Sequence, residues 1–553
     1  VLDNTYKVAK ERKLYCYEKP EELLSQIISD IKEGKKSGKP RRLYICTQGQ
    51  KDDSTYGSKN LERKITSLFP DQKILRIDAE SLGEPKHPAQ GCLDNLNKLL
   101  PEYDVIIASP SIGTGVSIDN VEGENAFFAV YGFLSGVCSV GSACQALERV
   151  REGCPRHISV AKRGLGWRGS SLLTTTKKAI EWAHRNSEIS LVLSKINSEG
   201  LFVSNNAPLL AYAQITSKSN SENWIYKESV LTKLESEGYE IYHYSVSGAK
   251  TIGKLQKVTK DLAWEDSKQR IVSSEDLTKS QYQKSKSNKW KSKEDREKEK
   301  KFEIKSRYGV EVTTDIVDWD NHGFYKILKV YYYLADGHQF LSDRDKAKIK
   351  ALGRNRKGEK KQIFQPDLIN STYQPPVMAL KGLGVDEILK TYFLENHRIH
   401  QQDLKSAKEQ VEKAKKTGLR DVCLEDYLED NRSFLDGSSP MVTKLYKSAL
   451  KASRDIEKIL RIKISREGKH ATPMALLSKI LKKLGFKLDC VYKNDGARKY
   501  VIVSEVGTFD TREKILNIWS KKDFDTREKE MEHERYLKSL SDEERRAFEF
   551  WDD

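Results

Sequence analysis

Between residues 41 and 160, short apolar runs alternate with amphipathic stretches, and this alternation constrains the fold more than any other feature of the chain. Segments 41–47, 73–78, 103–109 and 126–133 read as strands, and 60–69, 93–100 and 142–150 carry apolar residues at helical spacing. His157, Ile158, Ser159 and Val160 close the series as a further strand. Strand and helix in alternation predict a parallel sheet covered on both faces. In such sheets ligands sit at the carboxyl ends of the strands. The residues that follow each strand are therefore the first candidates for chemistry.

Beyond this unit the pattern turns helical. Helices are predicted over 177–185 and 228–237, and charge-rich ones over 403–416 and 525–546. Segment 279–307 is lysine-rich and poor in aliphatics, which predicts a linker or an exposed helix. Segment 325–334 is apolar and opens a C-terminal helical region. At 553 residues the chain is too long for one core. The predicted division is an α/β lobe at 1–165, a helical extension at 166–250, a basic linker at 251–310 and a helical domain at 311–465. A small α+β unit at 466–506 and a charged helical tail at 507–553 complete it. Lys plus Arg outnumber Asp plus Glu by 97 to 81, a net charge of +16. That excess points to a polyanion partner, most commonly nucleic acid, although a basic protein with no such role fits it too. None of the eight cysteines forms a C-x-x-C pair or stands beside a histidine at zinc spacing. No metal site is predicted, and reduced thiols fit a cytoplasmic location. No apolar run is long enough to span a bilayer, so no membrane partner is expected.

Two strand-end segments carry candidate chemistry. The first runs from Ala108 through Ser109, Gly113, Thr114 and Gly115 to Asp119. Glycine lets backbone approach a phosphate closely, and free N–H and hydroxyl groups can bind it. Taken alone, such a stretch is more often only a turn. The second is Gln145-Ala146-Leu147-Glu148-Arg149-Val150-Arg151, at the end of a short helix. Two guanidiniums there are suited to reach a triphosphate and to stabilise charge on a transferring phosphoryl group. A surface helix with ordinary ion pairs is the plainer reading of that heptapeptide alone. Further on, Thr472 is a predicted N-cap with Pro473 at the first helical position, and Gly485 a stop. A predicted hairpin with a turn at Asn494-Asp495-Gly496 follows. Helix plus hairpin, with Lys482, Lys483, Arg498 and Lys499, suits a winged helix on DNA, and suits a ligand-free packing unit equally. Trp264, Trp290 and Tyr331-Tyr332-Tyr333 lie among basic residues as candidates for base stacking, with core packing the commoner role.

The order of the two segments on successive strand ends matches motifs V and VI of superfamily 2 helicases, and Thr47 then falls where motif IV stands. The wording SPSIGTGVSID, CQALERVR and CPRHISV resembles cyanobacterial plasmid replication proteins, and more distantly herpesvirus-type origin-binding helicases. The resemblance covers about the first third of the chain. It implies an α/β RecA-like lobe, the second of two, followed by a mostly α-helical region with a small winged-helix-like α+β unit. It implies that Thr47, Ser109 and Thr114 touch nucleic-acid backbone. Gly115 and Asp119 would link that backbone to the nucleotide, and Gln145, Arg149 and Arg151 would face ATP. Two departures stand out: Glu148 replaces the usual glycine, and Arg151 follows Arg149 by two positions where the motif has three. The role of Arg151 is the less secure of the two.

A P-loop needs G-x-x-x-x-G-K-[ST]. The nearest match, Gly248 to Leu255, ends in a leucine that cannot hold Mg²⁺, and it follows the lobe. ATP and Mg²⁺ are thus expected to be bound chiefly by a lobe missing from this chain, with Val1 an internal residue of a longer protein. The expected partner is DNA, as a plasmid origin or a single strand, with replisome proteins as further candidates. Two other readings compete: a binding module whose RecA-like lobe no longer hydrolyses ATP, and a glycosyltransferase-like α/β domain. The paired arginines and the net charge disfavour the last.

Overall fold

A computed structural model describes residues 9, 12–39, 41–110, 117–118, 126–151, 153–165, 174–181, 206–352, 354, 359, 371–394, 401–418, 434–468, 470–494, 497–505 and 509–539. The chain divides into two compact units, and the boundary between Phe302 and Glu303 falls inside one helix.

In the first unit, seven strands form one parallel sheet: β1 (Lys13–Tyr17), β2 (Leu43–Thr47), β3 (Ile74–Ile77), β4 (Val105–Ala108), β5 (Ala129–Leu134), β6 (Arg156–Val160) and β7 (Glu240–Tyr244). Their order is β3-β4-β2-β5-β6-β1-β7. Period-two alternation along each strand serves two cores. Leu43 and Ile45 pack on one face with Tyr131, Leu61 and Ile65. Tyr44 and Cys46 pack on the other with Val130, Cys144 and Leu147. The helices α1 (Pro20–Lys36) and α2 (Ser58–Leu68) cover the first face. The opposite face is covered by α3 (Val140–Leu147) and α5 (Tyr226–Ser236), the latter following α4 (Asn206–Trp224). The start of α1 has Pro20 at its first position, acids in the first turn and Lys35 and Lys36 in the last, which suits the helix dipole.

Strands β2 to β6 stand within a few residues of the sequence expectation. The sheet also recruits β1 and β7, so it extends past residue 165, and β7 lies within the stretch expected to be a helical extension. The stretch expected as a basic linker is ordered helix: α6 (Ala249–Ser273), α7 (Lys279–Ser287) and α8 (Lys293–Tyr308). Gln256 on α6 donates to the carbonyls of Thr55 and Asn60 at 2.7 and 3.3 Å, which docks that helix over the α1–α2 layer. The P-loop-like segment 248–255 is simply its first turns.

The second unit is mostly helical. Its core gathers Tyr331, Tyr332 and Tyr333, all buried, so these three are packing residues rather than an exposed stacking surface. Thr472 caps the helix Pro473–Lys482 by accepting from Ala475 N, and Gly485, at φ 73°, stops it as the sequence predicts. The antiparallel pair β8 (Phe486–Asn494) and β9 (Ala497–Ser504) follows. The helix expected at 525–546 begins earlier, as Phe509–Ser539, and its first half is no solvated tail, because Arg512, Ile515, Leu516 and Trp519 are buried.

Candidate functional site

The carboxyl rim of the sheet is where connections diverge. From β2 the chain runs through α2 to β3 at one edge, and from β5 through α3 to β6 on the other side. Loops that leave neighbouring strands in opposite directions open a crevice between β2 and β5, the usual ligand position in a doubly wound sheet.

Three of the sequence candidates meet there. Thr47 ends β2, Ser109 follows β4, and Arg149 follows α3; all three line one niche with Gln48, Cys138 and Ser142. Each is largely buried, Arg149 at 9% exposure. Local sequence explains the placement. Ser139 caps α3 by accepting from Ser142 N. The chain leaving α3 then pairs with Ile118, whose N–H donates to the Arg149 carbonyl at 2.8 Å and whose carbonyl accepts from Arg151 N at 3.1 Å. That bridge ties the segment after β4 to the segment after α3. The niche itself is nearly filled, with about 10 Å³ free, room for a single water. Thr47 spends its hydroxyl proton within the fold, on the Tyr56 carbonyl at 2.6 Å.

The other candidates separate. Gln145 is exposed on α3 and does not line the niche. Arg151 is exposed and donates from Nε to Ser117 Oγ at 3.2 Å. Thr114, Gly115 and Asp119 lie outside the described residues. Glu148, in the place of the motif's glycine, pairs with Arg12 at 3.5 Å and accepts the Tyr239 hydroxyl, so it fastens α3 to the chain before β1 and β7. Lys482 and Lys483 are exposed at the C-terminal end of their helix, a position where cations also suit the helix dipole. Arg498 is exposed on β9, and Lys499 lies over the Phe434 ring at 5.5 Å.

Sequence reasoning missed Gln48. Its amide donates to the Tyr226 hydroxyl at 3.0 Å and accepts from Val137 N at 3.0 Å, which joins the ends of β2 and β5 to α5. Only the position directly after a strand hinted at it. Sequence reasoning also missed a second, wider cleft of about 410 Å³ beside the niche. It spans the carboxyl ends of β1, β2, β5 and β6 and is lined by Glu18, Ser54, Thr55, Ser135, Ser159 and Lys162, among others. Its walls are largely apolar, with Tyr56, Phe133 and Leu134, and its polar groups are a set of hydroxyls, Lys162, and Glu18, which pairs with Lys227 at 2.8 Å.

The lysine-rich stretch is partly neutralised. Lys291 pairs with Glu299 at 2.7 Å, Lys298 with Glu275 at 2.6 Å, and Lys305 with Glu311 at 2.7 Å. Arg296 donates to the Glu80 carbonyl at 2.7 Å, which pins α8 to the sheet unit. Among the described residues no group of three or more His, Cys, Asp or Glu is placed to hold a metal ion, and no helix is long and apolar enough to cross a membrane.

No protein-family profile matches the chain. It is similar to an uncharacterised protein of Picosynechococcus sp. (strain ATCC 27264 / PCC 7002 / PR-6), at 35% identity over 398 residues. The match takes in 70% of this chain and 38% of that protein, so the chain spans well under half of its relative's length.

Proposed function

We propose that this chain is the second, RecA-like lobe of an ATP-dependent, helicase-like plasmid replication initiator, joined to a helical DNA-binding region. The observation that carries the reading is the meeting of Thr47, Ser109 and Arg149 in one niche at the carboxyl rim of a doubly wound parallel sheet. Two strand ends and the end of one helix converge there, in the chain order of motifs IV, V and VI. The core strand order, β3-β4-β2-β5-β6, is compatible with a RecA-like lobe. In this reading Arg149 orients toward a nucleotide held by a partner lobe, and its fixed cation stabilises charge on the transferring phosphoryl group. ATP with Mg²⁺ would supply the phosphoryl group, and its metal-binding residues belong with that other lobe. The relative in Picosynechococcus has more than half its length outside the match, which is room for such a lobe in that protein. The helix and hairpin at 473–504 would serve as a winged-helix-like unit on DNA, with the replication machinery as a further partner.

The experiment is a pair of measurements on the purified chain. DNA binding should fall steeply with salt, by roughly 10³-fold between 50 and 200 mM if six or more phosphates are engaged. ATP turnover should stay far below the roughly 1 per second of ordinary enzymes. Absence of DNA binding at low salt overturns the nucleic-acid reading, and brisk turnover overturns the division of labour between lobes.

A non-catalytic DNA-binding module is the second reading. One observation favours it: the niche around Arg149 admits no more than a water. Nucleotide binding to the longer protein separates the two.

A further inference from the structure

The strand ends also carry an exposed aromatic platform that none of the helicase-like motifs includes. Trp224 ends α4 with about half its surface in water, at 49% exposure, and the Arg163 guanidinium lies 4.3 Å from its ring centroid. Leu165, Val137 and Ile225 are exposed beside it in sequence and hydrogen bonding. A single exposed apolar side chain is ordinary, but a contiguous group of them marks a surface that binds something.

The platform is built rather than loose. Two loops and the end of α4 are stitched together: Leu165 N donates to the Gly136 carbonyl at 2.8 Å, and Gly164 N donates to the Asn223 carbonyl at 2.8 Å. Asn223 Nδ2 returns a bond to the Leu165 carbonyl at 3.0 Å. The approach is so close that a Cβ on Gly136 would stand 2.6 Å from Gly164 Cα, and one on Gly164 would stand 2.3 Å from Asn223 Oδ1. Gly136, at φ +79° and against backbone, is needed for the loops to meet, whereas a side chain at Gly164 would displace the Asn223 amide that bonds Leu165.

Its chemistry selects the occupant. Arg163 has no carboxylate partner among the described residues, and the preceding residue, Lys162, lines the 410 Å³ cleft with its hydroxyl floor. A flat aromatic surface with a guanidinium over its ring, next to a groove where Lys162 stands outside the Lys227–Glu18 pair named above and aromatic and hydroxyl side chains share the walls, matches a chain of planar rings and anions. We propose that Trp224 and Arg163 stack a base of single-stranded DNA whose phosphates continue into the cleft at Lys162. This deepens the proposed function and rests on it.

The test compares wild type, Trp224→Ala and Trp224→Phe by fluorescence anisotropy at low salt. The probes are an oligothymidylate and an abasic deoxyribose-phosphate oligomer of equal length. Removing the indole should weaken oligothymidylate binding by about tenfold or more. Phe should restore most of it, and the abasic oligomer should bind all three chains equally. Unchanged oligothymidylate binding by Trp224→Ala overturns this inference alone and leaves the platform as a protein-docking face. An equal loss on the abasic oligomer also overturns it, because the effect would not be stacking. A wild-type chain that binds neither probe removes the proposed function and this inference together.

Discussion

Two buried arginines, one in each unit, show how differently the same side chain is used. Arg512 is 2% exposed and donates to the carbonyls of Leu484 and Gly485, both at 2.9 Å, and to Ser504 Oγ at 3.2 Å. The rings of Phe486 and Tyr331 lie 4.1 and 4.8 Å from its guanidinium carbon. Burial without a carboxylate holds its pKa down at about 10, yet it remains a cation at neutral pH. Every bond named is to the chain's own fold, and together they cap the helix Pro473–Lys482 and fix the hairpin against the last helix. Arg149 is also buried, but it stands at the carboxyl rim of a parallel sheet, in a niche shared with residues from other strand ends. The first arginine is a fastening. The second is placed where such sheets bind ligands.

The comparison can be broken by substitution, and the largest expected effect belongs to Arg149. If the proposed reading holds, then in a protein that joins this chain to an ATP-binding lobe Arg149→Ala should lower ATPase turnover by about 10³-fold while DNA affinity changes little. Unchanged turnover would make it a fastening like Arg512. Next in size is Arg512→Met, which keeps the bulk and removes the donors. It should destabilise the second unit by about 2 kcal/mol and lower its melting temperature by a few degrees, measured by calorimetry, since the Leu484 carbonyl loses the donor named above while the Gly485 carbonyl keeps Glu505 N. A change below about 0.5 kcal/mol would mean that water replaces the guanidinium without cost.

A third effect comes from His157, buried in the first unit among Tyr15, Tyr17 and Tyr131. Burial lowers its pKa to about 4, against which Asp30 is a weaker, opposing influence. The unfolded chain takes up the proton near pH 6.5 and the folded chain resists it. Stability is therefore fully present above about pH 6.5 and is lost as pH falls toward 4, by about 3 kcal/mol in all. Denaturant titrations of wild type and His157→Gln between pH 7 and 4 should show the slope in wild type and a flatter one in the variant. The smallest effect concerns charge. Replacing the exposed Lys482 and Lys483 together by Ala should cost about 1 kcal/mol on a cognate DNA site and less on random DNA. Replacing the exposed Lys279, Lys284 and Lys289 by Ala should weaken binding to every sequence alike and flatten the salt slope. Equal losses on all DNA from both sets would remove any winged-helix role for the hairpin.

Although the helix expected at 93–100 is broken into short turns, with α-helix only over Leu96–Leu99, the sequence alone determined the five strands from β2 to β6, the helices α2 and α3 between them, and the cap and stop of the helix Pro473–Lys482. These signals are local: apolar runs of strand length, amphipathic spacing, Thr472 before Pro473, and a glycine with positive φ at 485. It also pointed to Thr47 and Ser109, because a position at the end of a parallel strand is marked by the strand itself, and to Arg149 through the arginine pair at a helix end. Tertiary structure decided the rest. The strands β1 and β7 pair with each other across more than two hundred residues, as Leu14 with Ile241, and β7 is exposed along most of its length, so no apolar run announced it. Of the two readings of the lysine-rich stretch, linker or exposed helix, the fold chose helix: acids within and beside it, Glu275, Glu299 and Glu311, supply counter-charges, and the bond from Arg296 to the distant Glu80 carbonyl docks it. Arg512 was hidden in a charged run, and only the meeting of a helix end, a strand end and two aromatic rings gave it a reason to be buried. Gln48, Trp224 and the wider cleft share that cause: segments distant in sequence converge, and a pattern read along the chain carries no record of which will meet.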